Sequence, residues 1–363
     1  MIDVNNNRYF PPLALLDALK KKGLMERLVV EGYSNEKRPI YSLELGQGTH
    51  KVLAWSQMHG NETTTTKALL DVLDHLLLSV EGKDLLQQLQ LKLIFQLSPD
   101  GALNYTRLNG VGVDLNRDAS TQSQPEMQTL IKVFKDFSPN LCLNLHGQRT
   151  IFAAGKTNTP SALSFLAPVA DSERSTTPAR EMAMKLIAAM ASEHETSTSW
   201  GIGRYDDSFN INCTGDYFIV QGVPTILFEA GHYPKDYARK TTRTLVTKSI
   251  IDCLNSFCRA GYDSYTIQDY HAIPENSNHL RDIEFTEVTI VNNGNITKSS
   301  LFVQFKEVLK QGVVEFVPEY SGNDCKLSGL VKIKMPSSQE NSPIDLTKSA
   351  VEIMVSLTKY LNV

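Results

Sequence analysis

Apolar and polar positions along the first two thirds of this chain fall into short, nearly continuous apolar runs separated by longer stretches of helical spacing. Residues 50–57 (HKVLAWSQ) form such a run, followed by turn residues at 58–61 and then by helical spacing from 62 to about 78. That order predicts strand, loop, helix. A second run, 91–97 (LKLIFQL), ends in Ser98, Pro99, Asp100 and Gly101; a third, 141–145, ends at His146; a fourth, 224–229, ends at Glu229 with Ala230 and Gly231 behind it. Helical spacing recurs at about 126–136, 179–194 and 237–259. Strands alternating with helices predict an α/β fold, a mostly parallel sheet covered on both faces, with strand carboxyl ends converging on one crevice. His59, Asp100, His146 and Glu229 each fall at or just beyond the end of an apolar run, where such a fold places its ligand site. After about Tyr262 the pattern changes to polar linker residues and short β-rich segments at 287–291, 301–305 and 330–334. The expected organisation is therefore residues 1–262 as one domain and 263–363 as a small β-rich domain.

Composition narrows the possibilities without choosing among them. Of 363 residues, 41% are hydrophobic and 21% charged, enough apolar material for a full core. A formal net charge of -4 offers no broad basic face for phosphates, so nucleic acid is not an expected partner. The five cysteines, Cys142, Cys213, Cys253, Cys258 and Cys325, are scattered and include no C-x-x-C pair, which argues against a disulfide framework and a thiolate metal site. No apolar stretch approaches the roughly 18 residues of a membrane span. A cytoplasmic protein without a membrane partner is the expectation.

The candidate chemistry lies in four short motifs. His59-Gly60-Asn61-Glu62 is an H-x-x-E at a strand–helix junction, and two histidines with one carboxylate suffice for a catalytic zinc that keeps one position open. Alone, the pattern is common, and a surface histidine beside a helix-starting glutamate is the plainer reading. Next come the Ser98–Gly101 turn, Arg107, and Asp114-Leu115-Asn116-Arg117. Arginine forks and an amide suit a substrate carboxylate, though a solvated, ion-paired loop accounts for them equally well. His146 closes an apolar run, as many structural histidines do. Glu229 closes another, where a carboxylate is costly unless paired or employed.

In this order the motifs resemble the zinc carboxypeptidase (M14) superfamily, including its aspartoacylase and succinylglutamate desuccinylase-like relatives. The resemblance runs from about residue 50 to 235 through six elements: His59 with Glu62, the Pro99–Gly101 turn, Arg107, Asn116-Arg117, His146 and Glu229. It implies an α/β/α sandwich with a mixed, mostly parallel eight-stranded sheet, and one zinc ion held by His59, Glu62 and His146. Glu229 would act as general base, Arg107 as oxyanion partner, and Asn116 with Arg117 as the grip on a free substrate carboxylate. Asn144 stands where the family commonly has an aspartate two residues before the second histidine, weakening the expected support for that imidazole. Tyr205 is the better candidate for the substrate-capping tyrosine, Tyr217 the lesser because its neighbours look helical. Asp216 either favours a basic substrate side chain or is a helix-starting acid. The leading expectation is a carboxypeptidase acting on peptides. A deacylase of N-acyl amino acids is the rival, since that branch shares the H-G-N-E form and a C-terminal β-rich domain. A non-catalytic zinc-binding protein on the same scaffold is the third reading.

Overall fold

The computed structural model describes residues 8–336 and 343–361. In chain order the strands are β1 (Leu28–Tyr33), β2 (Pro39–Leu45), β3 (His50–Ser56), β4 (Leu89–Ile94), β5 (Leu141–Gly147), β6 (Ala153–Ala154), β7 (Ser161–Leu166), β8 (Gly201–Arg204), β9 (Thr225–Ala230), β10 (Asn276–Ser277), β11 (Leu280–Asn292), β12 (Asn295–Lys310), β13 (Val313–Gly322), β14 (Ser328–Lys334) and β15 (Ile344–Asp345). The α-helices are α1 (Pro12–Lys21), α2 (Thr63–Leu78), α3 (Val80–Gln88), α4 (Pro99–Asn104), α5 (Pro125–Phe137), α6 (Pro178–Ser192), α7 (Thr214–Val220), α8 (Lys240–Cys258), α9 (Ile267–Ala272) and α10 (Ala350–Thr358).

Eight strands form one mixed sheet in the order β1-β2-β4-β3-β5-β9-β7-β8. The central four, β4-β3-β5-β9, run parallel, while β2 and β7 join them antiparallel. This is the α/β sandwich expected from the apolar runs. β3 shows why its sequence is apolar at nearly every position: Val52 and Ala54 face a core shared with α1, α2, α6 and α8, and Leu53 and Trp55 face the opposite core with α5 and α7. A strand buried on both faces cannot alternate with polar residues. On the second face the fully buried Trp55 meets Phe218 edge-on at 5.4 Å, and Phe218 stacks on Phe134 at 4.1 Å.

The first core does not end at Tyr262, because Tyr270 and Ile273 are buried in it. Beyond it lies a separate five-stranded sheet, β13-β12-β11-β14 with β15 beside β11, closed by α10 over Ile283, Phe285, Leu301 and Val303. The expected β-rich C-terminal region is thus present, with an additional helix. Among the described residues no helix is long and apolar enough to cross a membrane.

The two sheets are joined through buried polar contacts. Asp282 of β11 accepts hydrogen bonds from Tyr237 Oη (2.8 Å), Thr150 Oγ1 (3.2 Å), the Phe305 N–H (2.7 Å) and Gln304 Nε2. Glu307 of β12 binds Arg8 through one oxygen (2.8 Å) and the Tyr105 hydroxyl through the other. Tyr105 and Thr150 belong to the loops that follow β4 and β5, so the small sheet leans on the carboxyl edge of the large one.

Candidate metal centre and surrounding cleft

The loop after β3 is shaped by close backbone packing. A Cβ on Gly60 would lie 1.8 Å from the Gly101 carbonyl carbon, so the H-G-N-E loop and the Pro99–Gly101 turn cross at two glycines. Gln57, held at φ 40°, donates through Nε2 to the Gly60 carbonyl (2.8 Å) and fixes the loop from beneath. Asp100 takes no part in the metal cluster. Fully buried, it accepts from Ser34 Oγ (2.7 Å), the Glu36 N–H (3.0 Å) and Arg38 Nη1 (2.6 Å), which ties the β1–β2 hairpin to α4.

With the loop so fixed, donor atoms of His59, Glu62 and His146 come within 4.8 Å of one another. His59 Nδ1 lies 2.8 Å from Glu62 Oε1, and His146 Nδ1 lies 2.9 Å from Glu62 Oε2. The Gly147 N–H donates to the same Oε2 (3.0 Å). The two Nδ1 atoms are 3.2 Å apart. Two nitrogens each about 2.0 Å from one tetrahedral ion would be separated by about 3.3 Å, so the spacing and the N/N/O donor set fit a metal ion. Burial opposes charge on both imidazoles, with unequal results. At His59 the Glu62 charge and the Asp114 hydrogen bond overcome it and raise the pKa. At His146 burial prevails and the pKa falls, favouring the neutral form that a metal ligand requires. Glu62 is itself buried, yet the two histidines hold it well below the usual carboxylate range.

Support for the first histidine comes from a residue that sequence reasoning passed over. His59 Nε2–H donates to Asp114 Oδ1 (3.0 Å), the arrangement by which a carboxylate fixes a ligand imidazole. The position of Asp114 at the head of the D-x-N-R motif is the signal in the sequence that marks it. Asn144 gives no such support to His146: among the described residues neither its Oδ1 nor its Nδ2 has a hydrogen-bond partner, and His146 Nε2 has none.

Arg107 reaches over the cluster, with Nη1 at 3.5 Å from Glu62 Oε1 and Nη2 at 3.0 Å from Asp114 Oδ2; its side chain is 47% exposed and therefore free to turn. Asn116 is buried and its Oδ1 accepts the Thr214 N–H of α7 (2.9 Å). Arg117 is exposed, and its guanidinium donates to the Asn116 carbonyl (2.7 Å) and Cys213 Sγ (3.3 Å). Glu229 stands on β9 in register with His146 on β5, so adjacent parallel strands present both. Its Oε2 is buried without a partner, and burial, reinforced by the Glu62 charge, raises its pKa well above the usual value.

Tyr205 follows β8, with its ring 5.1 Å from Phe152, and its hydroxyl feels the charges of Glu229 and Glu62. Tyr217 lies within α7, where its hydroxyl accepts from Gln122 Nε2 (3.3 Å). Asp216 is in the first turn of α7 and 5% exposed, its oxygens taken by the N–H groups of Val169 (3.0 Å) and Asn210 (2.8 Å). That is the helix-starting role; no oxygen is left facing a substrate side chain. A second residue missed from sequence is Arg239, at the N-cap of α8, which donates to the carbonyls of Ala230 and Gln148 (2.8 Å each) and thereby joins the ends of β9 and β5. It lies inside a stretch read as helix, which concealed it.

Residues 13–118 match the family model described as zinc carboxypeptidase. That segment, 106 of the 363 residues, is similar to the zinc carboxypeptidases. Carboxypeptidase 2 of Trichophyton tonsurans is 26% identical over 111 residues, 30% of this chain and 20% of that protein. The match thus spans about a fifth of the relative's length. Among solved structures, a metallo-carboxypeptidase from Burkholderia cenocepacia superposes with a TM-score of 0.53 at 15% identity, covering 69% of this chain and 70% of that one. Carboxypeptidase A from Helicoverpa armigera gives 0.54 at 16% identity, covering 71% and 75%. These likenesses establish the carboxypeptidase fold, and the His59, Glu62 and His146 cluster lies on it as a possible metal site.

Proposed function

We propose that this chain is a zinc-dependent carboxypeptidase that releases residues from the C-terminal ends of peptides. The observation that carries the reading is the convergence of His59, Glu62 and His146 next to a half-buried carboxylate, Glu229, whose buried Oε2 has no partner among the described residues and which is in register with His146. Zinc bound at the cluster would supply Lewis acidity to a water and to the scissile carbonyl. Glu229, with its raised pKa and no competing donor, takes the proton from the attacking water and returns it to the leaving amine. Arg107 swings from Glu62 and Asp114 to the developing oxyanion. Arg117, which has no carboxylate partner among the described residues, receives the free carboxylate of the substrate together with the amide of Asn116. Tyr205 covers the cleft. In this scheme residues 1–262 carry the chemistry, Tyr270 and Ile273 complete their core, and the rest of 263–363 forms a supporting β-rich domain.

A second reading, deacylation of N-acyl amino acids, rests on the small sheet. Glu307 holds Tyr105, just beyond α4, and Asp282 holds Thr150, just beyond β5, so the small sheet would narrow the approach to the site, which suits a compact substrate.

Metal analysis of the purified protein, followed by incubation of the zinc-loaded parent and Glu229→Gln with a panel of peptides and N-acyl amino acids, separates the readings. Release of single C-terminal residues by the parent alone supports the carboxypeptidase. Turnover confined to N-acyl amino acids transfers the site to the deacylase reading. Stoichiometric zinc with no turnover of either class sinks both.

A further inference from the structure

Behind the donor cluster two helices begin beside one cavity. α2 starts at Thr63, directly after Glu62, with no side-chain cap and no acidic residue in its first turn. α8 starts at Lys240, also without an acidic residue in its first turn. Helix amino ends carry partial positive charge and ordinarily attract acids. The cavity between them is instead lined by Arg8, Lys67, Arg239, Lys240 and Arg243, over the first two threonines of α2. Some of this charge is balanced internally. Glu307 pairs with Arg8, Asp71 with Arg243, and Asp236 caps α8 by accepting the N–H groups of Lys240 (2.8 Å) and Thr242 (3.1 Å).

Arg239 is the exception. It is 3% exposed, its Nη atoms are spent on the carbonyls of Ala230 and Gln148, and its buried Nε has no hydrogen-bond partner among the described residues. Among the described residues no carboxylate lies within ion-pairing distance of it. Burial, followed by the Arg8 charge, brings its pKa down to about 10. A desolvated guanidinium held only by neutral carbonyls is costly, and its cost is relieved by a counter-ion.

We infer that this cavity binds a monatomic anion of the halide class, chloride in size, between Arg239 Nε and the uncapped amino end of α2. The cavity is small, ≈ 10 Å³, which favours a monatomic ion over the bulkier sulfate, phosphate or a substrate carboxylate. The anion meets a fixed cation and a helix amino end together, the combination that makes such ends anion sites. Its position matters to the neighbouring centre. Thr63 follows Glu62, and Arg239 grips the carbonyls immediately after Glu229 and two residues after His146, so the ion braces the three segments that carry these side chains.

The test uses the full chain at constant ionic strength in sodium gluconate, chloride, bromide or sulfate. Chloride and bromide are expected to raise the Tm saturably, by about 3 °C over gluconate. Crystals grown in bromide are expected to show an anomalous peak within hydrogen-bonding distance of Arg239 Nε. Lys240→Glu, which supplies a tethered carboxylate at the cavity, is expected to keep the parent's Tm and lose the halide response. Equal Tm values in gluconate and chloride, a rise that never saturates, an equal response to sulfate, an empty cavity in bromide, or an unchanged response in Lys240→Glu each overturn the assignment. A water molecule in the cavity would leave stability indifferent to the identity of the salt.

Discussion

Asp282, on the small sheet, and Glu229, near the carboxyl end of a central strand of the large one, are both carboxylates whose pKa is raised above the usual value chiefly by burial. Their surroundings are opposite. Asp282 is fully buried and accepts four hydrogen bonds, from Tyr237, Thr150, Gln304 and the Phe305 N–H. Glu229 has a buried oxygen that accepts none. A raised pKa therefore does not by itself mark a reactive group; the state of its hydrogen bonds separates a carboxylate that holds structure together from one kept available for chemistry. The imidazoles repeat the contrast. His194 donates Nε2–H to Ser249 Oγ (2.8 Å), which in turn donates to the Leu245 carbonyl (2.9 Å), whereas His146 Nε2 has no partner.

The largest expected effect breaks the contrast at Glu229. Glu229→Gln should lower turnover by about 10³-fold, equivalent to about 4 kcal/mol in the barrier. Its Tm should match or exceed the parent's, because a neutral amide replaces an unpartnered buried acid. A variant that instead melts well below the parent would place Glu229 with the structural carboxylates. Asp282→Asn should do the reverse. Its amide NH2 faces groups that donate, at a cost of about 3 kcal/mol in urea denaturation, while turnover per folded molecule stays within a few-fold of the parent.

The histidine contrast predicts a pH dependence. Burial lowers the pKa of His194 to about 4, whereas the unfolded chain titrates near its ordinary value of about 6.5. As pH falls below about 6.5 the unfolded state binds the proton first. The contribution of His194 is therefore complete above that pH and is lost progressively toward 4, amounting to roughly 2 kcal/mol at pH 5. His194→Gln should shrink the stability difference between pH 7 and pH 5 by that amount, measured from urea midpoints. An unchanged difference would mean that His194 is already free to protonate in the folded state.

The same physics decides how much was legible beforehand. The strands that carry His146 and Glu229, and β3 leading to His59, were readable because burial on both faces leaves nearly unbroken apolar runs. β1 was not: it is an edge strand with Val29, Val30 and Tyr33 exposed, and no run forms. The apolar run at 91–97 predicts strand to its end, but β4 ends at Ile94, and Phe95 and Leu97 are buried in the loop that leads to α4. The helix expected from Tyr237 begins at Lys240 because Asp236 caps it there, while the Tyr237 ring packs against Phe305 (5.6 Å) and Phe316 (5.2 Å) of the small sheet. Within the site, the candidate metal cluster of His59, Glu62 and His146 was legible from the order of the motifs and their resemblance to a known family, not from the H-x-x-E spacing alone. Asp114 and Arg239 act through their neighbours and become visible only when His59, Ala230 and Gln148 are in place.

The smallest effect tests what the small sheet does for the site. Thr150 lies four residues beyond His146, and its hydroxyl is the most distant donor to Asp282 among those with a measured separation, at 3.2 Å. Thr150→Val removes that bond and preserves the shape of the side chain. Three donors to Asp282 remain, so the cost should be about 1 kcal/mol. If the small sheet merely adheres to the large one, stability falls by that amount and kcat/KM stays within about twofold, since no group that touches substrate has changed. A tenfold loss of kcat/KM at the same small cost in stability would mean that the Asp282 cluster sets the position of the loop after β5. A satisfied carboxylate in one sheet would then be governing the geometry around the unsatisfied one in the other.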